Sequence, residues 1–220
     1  AVGALMLGGG MGGTALAEVT VGSGLVVAFI AVVPLIIAGL NLLWGVRPGR
    51  LEAAGIGLGL AGVLMLTQGA GFQASPIGLA AIGIACVTWS VGSVLSQRSL
   101  PLAGGAMGFA SEMICGGVVL LALSGLAGES AAGPPQPLAV AAWFYLVVFG
   151  SLIAFNAYMV LLARASAGLA SSYTFVNPVI AMLLGVAVAG EVVTGFEWMA
   201  AGVVLVGVVL MLRGASSSRG

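Results

Sequence analysis

Residues 168–207 read GLASSYTFVNPVIAMLLGVAVAGEVVTGFEWMAAGVVLVG, and residues 24–62 read GLVVAFIAVVPLIIAGLNLLWGVRPGRLEAAGIGLGLAG. The later stretch repeats the earlier one. Gly24-Leu25 and Pro34 recur as Gly168-Leu169 and Pro178 at an offset of 144 residues, and Glu52, Gly57 and Gly62 recur as Glu197, Gly202 and Gly207 at 145. Both copies are strongly apolar. An internal repeat in such a chain is the mark of a duplicated, transporter-type membrane fold.

Composition agrees. Apolar residues make up 61% of the 220 and charged residues 5%, against about 25% charged in a soluble domain. There is no Asp, Lys or His. Glycine, at 37 residues, has no collagen period and lies inside apolar runs, where small residues let membrane helices approach closely. The chain therefore reads as an all-α, polytopic membrane helix bundle. A transmembrane barrel would alternate apolar and polar residues in strands of about 10 residues, and no such segments occur. Zero net charge without a basic cluster gives no case for nucleic-acid binding. Cys86 and Cys115 lie in apolar runs without CxxC spacing or a His partner, so no metal site is expected and both read as small buried hydrophobes.

A spanning helix needs about 20 apolar residues. Breaks at Gly, Pro, Arg and Glu predict eight transmembrane segments, at 1–20, 23–45, 51–69, 76–97, 105–127, 138–163, 167–189 and 195–213. Short connections make successive helices antiparallel. Arg47, Arg50, Arg98, Arg164, Arg213 and Arg219 then all fall on one side, and arginine excess marks the cytoplasmic face. The C-terminus, with the tail 214–220, is expected to be cytoplasmic.

Placing the repeat on these segments makes 138–163 the partner of segment 1–20 and leaves 76–97 and 105–127 without partners. Residues 1–69 then form the end of a first unit and residues 76–213 a whole second unit of five helices. The parent fold is inferred to be ten helices in a 5+5 inverted repeat, with its first two helices not in this chain. An odd number of helices per unit inverts the second copy across the membrane. The charges fit, since Arg47 and Arg50 join one pair of helices and the equivalent link holds Glu191 and Glu197 without arginine.

Several short motifs follow one another in the second unit. These are Cys86-Val87-Thr88-Trp89-Ser90, Ser96-Gln97-Arg98, Ala154-Phe155-Asn156-Ala157-Tyr158, Arg164-Ala165-Ser166-Ala167, Asn177-Pro178-Val179, Gly190-Glu191 and the closing Gly202 to Gly207 helix. In their order they resemble the EamA-type branch of the drug/metabolite transporter (DMT) superfamily. The resemblance covers nearly the whole chain. It implies a carrier in the cytoplasmic (inner) membrane of a bacterium that moves small metabolites or drugs, most often as efflux. The absent first two helices depart from the family pattern.

Among candidate site residues Glu112 stands first. It sits about two turns into an apolar segment, where a charge costs about 2.5–3.5 kcal/mol on insertion scales. Such groups usually face a cavity or partner and often relay protons, so Glu112 is a candidate for contact with a substrate amine or for proton coupling. Trp89, Asn156, Tyr158, Tyr173 and Asn177 are aromatic or polar groups well inside apolar runs, suited to binding an amphipathic solute. Pro34 and Pro178 read as mid-helix prolines in equivalent segments, and matched helix breaks in two halves point to a hinge or cavity lining. Glu18 reads as interfacial. Glu52 and Glu197 begin equivalent helices and complement the N-terminal dipole.

The leading function is a secondary transporter working by alternating access on a small-molecule substrate within the lipid bilayer, with protons as a coupling ion and no cofactor. No Walker motif is present for ATP use. An intramembrane enzyme lacks its His, Asp or GxSxG groups. The competing reading is a non-transporting membrane scaffold or degenerate fragment.

Overall fold

Helices start where proline and small polar residues interrupt the apolar runs. The computed structural model describes residues 1–68, 75–100, 103–104, 106–129, 133–184, 186–187 and 193–217. Gly190, Glu191 and Arg219 lie outside the described residues. Among those described, the chain is helical and has no strand. A π-helical stretch, π1 (Ala4–Met11), runs into α1 (Gly12–Glu18). Then come α2 (Ser23–Ile30), α3 (Val33–Leu43), α4 (Arg50–Leu66), α5 (Pro76–Arg98) and α6 (Ala106–Leu126). A long helix follows, formed by α7 (Pro137–Tyr145), the π-helical stretch π2 (Leu146–Phe155) and α8 (Asn156–Arg164). The chain ends with α9 (Ala167–Ala170), α10 (Tyr173–Leu184) and α11 (Gly195–Ser217).

Local chemistry fixes the ends. Ser75 caps α5 by accepting the Gly78 N–H at 3.0 Å, with Pro76 at the first helical position, where its missing N–H costs nothing. Ser166 caps α9 through the Leu169 N–H at 3.2 Å. Thr194 and Glu197 close a capping box: the Thr194 N–H donates to Glu197 Oε2 at 2.7 Å, and the Glu197 N–H to Thr194 Oγ1 at 3.3 Å. The link after α3 needs glycine. Gly45 has φ +72°, and the Val46 and Gly45 N–H groups return to the Asn41 and Leu42 carbonyls at 3.0 and 2.9 Å, the Schellman arrangement.

Among the described residues six helices are long and apolar enough to cross a membrane: Leu25–Leu43, Pro76–Arg98, Met107–Leu126, Pro137–Arg164, Ala167–Leu184 and Gly195–Gly214. The other two expected segments are helical but shorter: α4 has 17 residues, and π1 with α1 covers Ala4 to Glu18.

Two cores hold the bundle. One gathers Met6, Ile37, Ile82, Val94, Phe155 and Leu162. The other gathers Ile56, Val63, Phe175, Val204 and Met211 from α4, α10 and α11. In the second, α4 and α11 meet backbone to backbone. A Cβ on Gly62 would lie 2.6 Å from Val204 Cγ2 and 3.1 Å from the Ala200 carbonyl oxygen. A Cβ on Gly207 would lie 2.6 Å from the Gly59 nitrogen and 2.8 Å from the Gly55 carbonyl oxygen. Partners run in opposite order along the two helices, so α4 and α11 are antiparallel. Shifting the Gly62 contacts by the repeat offset of 145 reproduces the Gly207 contacts residue for residue.

The wide turns repeat as well. π1 ends at Met11 and π2 at Phe155, 144 residues apart. The arginine-bearing links gather at one end of the bundle. Arg98 Nη2 donates to Asn41 Oδ1 at 3.3 Å, Arg98 and Arg164 border one cavity, and Gly168 and Gly214 pack against Glu52.

Both broken helices differ from the simple mid-helix kink. The first separates into α2 and α3 at Ala31-Val32, and Pro34 occupies the first turn of α3. A proline there removes a donor that a helix start leaves unpaired anyway. Pro178 does lie inside α10, while the break in that segment comes earlier, at Ser171-Ser172. Cys86 is buried as expected, whereas Cys115 is exposed on α6.

Candidate functional site

The helix breaks and the π-helical stretch converge on one aromatic residue. The wide turn of π1 brings bare backbone against α5: a Cβ on Gly10 would lie 2.9 Å from Trp89 Cε3, and one on Gly9 would lie 2.6 Å from Thr88 Oγ1. Trp89 therefore stands where only glycine leaves room for it. Its ring contacts Phe155 edge-on (centroids 6.0 Å, 74° between planes) and Tyr158 at 5.3 Å. Tyr158 meets Tyr173 edge-on at 5.5 Å, and Phe155 meets Phe109 at 6.0 Å. The result is a continuous chain, Phe109–Phe155–Trp89–Tyr158–Tyr173, crossing α6, π2, α5, α8 and α10.

A cavity of about 140 Å³ lies beside Trp89 and Tyr173, lined also by Gly10, Thr14, Val33 and Cys86. Its two threonine hydroxyls already bond to nearby backbone carbonyls. Thr14 donates to the Gly10 carbonyl at 2.9 Å and Thr174 to the Ser171 carbonyl at 2.9 Å. Behind the lining, Ser90 donates to the Cys86 carbonyl at 2.6 Å. Cys86 Sγ donates to the Phe29 carbonyl at 3.4 Å, which also accepts the Val32 N–H at 3.0 Å where α2 ends. A second cavity, about 850 Å³, opens at the arginine end and reaches Phe109 and Asn156.

Two polar groups in this apolar surround lack partners. The indole Nε1 of Trp89 is buried with no hydrogen-bond acceptor, and both carboxyl oxygens of Glu112 are buried with no donor. Glu112 is only 2% exposed. It follows Phe109 by one turn on α6, hence on the same face. Its backbone carbonyl is covered by Gly3 of the first helix. The Tyr158 hydroxyl, by contrast, is satisfied by Ser93 Oγ at 2.9 Å. An unpartnered ionised carboxylate is costly in such surroundings, so Glu112 is either neutral or holds a cation. The site thus offers one acidic group, one indole N–H and an aromatic wall. Among the described residues no cluster of metal-ligating side chains occurs.

The sequence model of the EamA-like transporter family matches residues 76–213. The chain belongs to the EamA-like transporter family. This family member is 41% identical over 215 residues to the uncharacterized inner membrane transporter YedA of Escherichia coli K12, covering 97% of this chain and 70% of YedA. It is 28% identical over 189 residues to a chloroplastic WAT1-related protein of Arabidopsis thaliana, covering 81% of this chain and 45% of that protein. A crystal structure 24% identical superposes with a TM-score of 0.72, covering 100% of this chain and 78% of the other, and shares the fold.

Within this EamA-like bundle the candidate residues separate into groups. Trp89, Tyr158 and Tyr173 come together in the aromatic chain, with Glu112 one turn along α6 from its Phe109 end. Asn156 lies on the exposed side of its helix and borders the larger cavity instead. Asn177 is exposed one turn beyond Tyr173; Thr174, not Asn177, lines the smaller cavity. Val33, next to Pro34, and Ile30 border the small cavity from the two sides of the first break. Sequence reasoning missed Phe109, Phe155, Thr174 and Ser93. Inside an all-apolar segment a site-lining Phe and a packing Phe look alike. Only the one-turn spacing of Phe109 to Glu112 and of Trp89 to Ser93 was there to be read.

Proposed function

We propose that this chain carries small amphipathic solutes, amines foremost, outward across the inner membrane of a bacterium by alternating access, and that Glu112 exchanges the solute for a proton. Membership of a transporter family supplies the coarse function. The finer reading is carried by one observation: a buried carboxylate that makes no hydrogen bond, one turn from an aromatic chain whose central indole N–H also meets no hydrogen-bond geometry. A cation over aromatic faces is attracted by their quadrupoles, and a carboxylate completes an amine site. A proton and an ammonium group compete for the same two oxygens, which is the requirement for exchange.

The two-unit reading supports alternating access. Residues 1–69 and 76–213 would be the end of the first inverted repeat and the whole of the second. The matched ends of π1 and π2 and the self-complementary packing of α4 on α11 support it. The small cavity draws its lining from both units, as sites between inverted repeats do. The arginine end would face the cytoplasm, with the tail 214–220 on the same side.

The test is to profile solutes lost to the medium by cells expressing this chain within its complete protein, with Glu112→Gln in parallel. Export of one class of amines by the unmutated protein, lost in the variant at equal membrane level, is the expected outcome. An unchanged medium from both inserted proteins would remove export.

A further inference from the structure

The two helices that break beside the small cavity are both held at their arginine-end halves by the last turn of α5. Gln97 makes three bonds to one turn of chain. Its Nε2 donates to the Leu162 carbonyl at 2.5 Å and to the Ala165 carbonyl at 2.7 Å, and its Oε1 accepts the Ala167 N–H at 3.0 Å. These are the groups that helix ends leave unpaired, the final carbonyls of α8 and the opening N–H of α9. The next residue, Arg98, donates to Asn41 Oδ1 near the end of α3 at 3.3 Å. A single dipeptide therefore ties α5 to α3 on one side and to the α8–α9 turn on the other.

The mechanical consequence follows from where the breaks lie. α3 is a short rod joined to α2 through Ala31-Val32, and α9 is a single turn joined to α10 through Ser171-Ser172. Ile30 and Val33 flank the first joint, and Tyr173 and Thr174 follow the second; all four line the small cavity. Both rods point toward the arginine end, and Gln97 and Arg98 border the large cavity that opens there. Release of the dipeptide would loosen both rods at the end where the larger cavity opens.

We infer that Gln97, seconded by Arg98 through Asn41, is the arginine-side gate latch of the central cavity. The inference rests on the alternating-access reading. Gln97 is a positioning residue, since it touches backbone at helix ends rather than the aromatic site.

Cys86 provides the readout, because it lines the small cavity and is buried. In membrane vesicles of each sidedness, with Cys115 replaced by serine, Cys86 is labelled with a membrane-impermeant thiol reagent in the parent and in Gln97→Met. Methionine keeps the volume and removes all three bonds. Labelling from the arginine side is expected to quicken about tenfold, the factor for loss of roughly one strong net hydrogen bond, with no change from the opposite side. An unchanged rate, or an equal rise from both sides, overturns the latch. If Gln97→Met does not reach the membrane, Asn41→Ala takes its place: faster labelling from the arginine side alone supports the latch, and an unchanged or two-sided rate overturns it. Labelling needs no substrate, so a protein that still exports its solute while labelling stays unchanged loses the latch and keeps the transport reading.

Discussion

Gly62 and Gly207, equivalent positions of the two copies, face each other's helix through the same contacts. Gly62 lies against Val204 and Ala200, and Gly207 against Gly59 and Gly55. Because no side chain intervenes, the backbones of α4 and α11 close to the distance that glycine alone permits. This interface lies apart from the aromatic chain.

Substitution there should be costly. Gly207→Ala places a methyl group 2.6 Å from backbone that cannot step aside, the Gly59 nitrogen, and should destabilise by about 1–3 kcal/mol. Gly62→Ala meets the Val204 side chain at 2.6 Å and the Val204 backbone nitrogen at 2.8 Å and should cost about as much. Gly57 and Gly202, equally a repeat pair, have open space where a Cβ would sit, and alanine at either should be neutral. Thermal unfolding in lipid or detergent, followed by tryptophan fluorescence, separates the two classes.

Trp89→Phe keeps an aromatic face and deletes an N–H that has no protein partner. Stability should fall by only about 1–2 kcal/mol, the cost of the smaller ring, as no hydrogen bond of the indole is lost. If the indole N–H serves the solute, KM should rise about tenfold with little change in maximal rate. Unchanged KM would assign Trp89 to packing alone.

Tyr158→Phe breaks the 2.9 Å bond to Ser93. The expected cost is about 1 kcal/mol, with the ring contacts to Trp89 and Tyr173 kept. Tyr158→Ala removes both contacts and should abolish transport at normal membrane levels. Measuring unfolding and uptake on the same preparations distinguishes the two losses.

Gly10→Ala tests the π-helical stretch. Its new methyl group would meet Trp89 Cε3 at 2.9 Å, so the indole must shift while helix propensity improves by about 1 kcal/mol. Transport should fall although the protein is no less stable. Gly39→Ala, on open surface, should leave transport intact.

The helices were legible because proline, glycine and arginine punctuate this chain at helix ends. α5 begins at Pro76 and ends at Arg98, as its flanks suggest. The meaning of Pro34 was not legible. A proline in the first turn and one in a helix interior look the same inside an unbroken apolar run, and the break at Ala31-Val32 carries no polar marker. The site was half legible. Glu112, Trp89 and Tyr158 stand out as polar or large groups among aliphatics. The asparagines stood out equally, yet the turn of each helix leaves Asn156 and Asn177 exposed.

The most direct test of Glu112 as the exchange group is the pH dependence of transport in proteoliposomes, with the solute found by medium profiling. Efflux by the parent protein should vary with pH and drive proton movement in the opposite direction. Glu112→Gln should insert normally and bind without any pH dependence or proton movement. The same pH profile and proton flux in Glu112→Gln as in the parent would contradict the account.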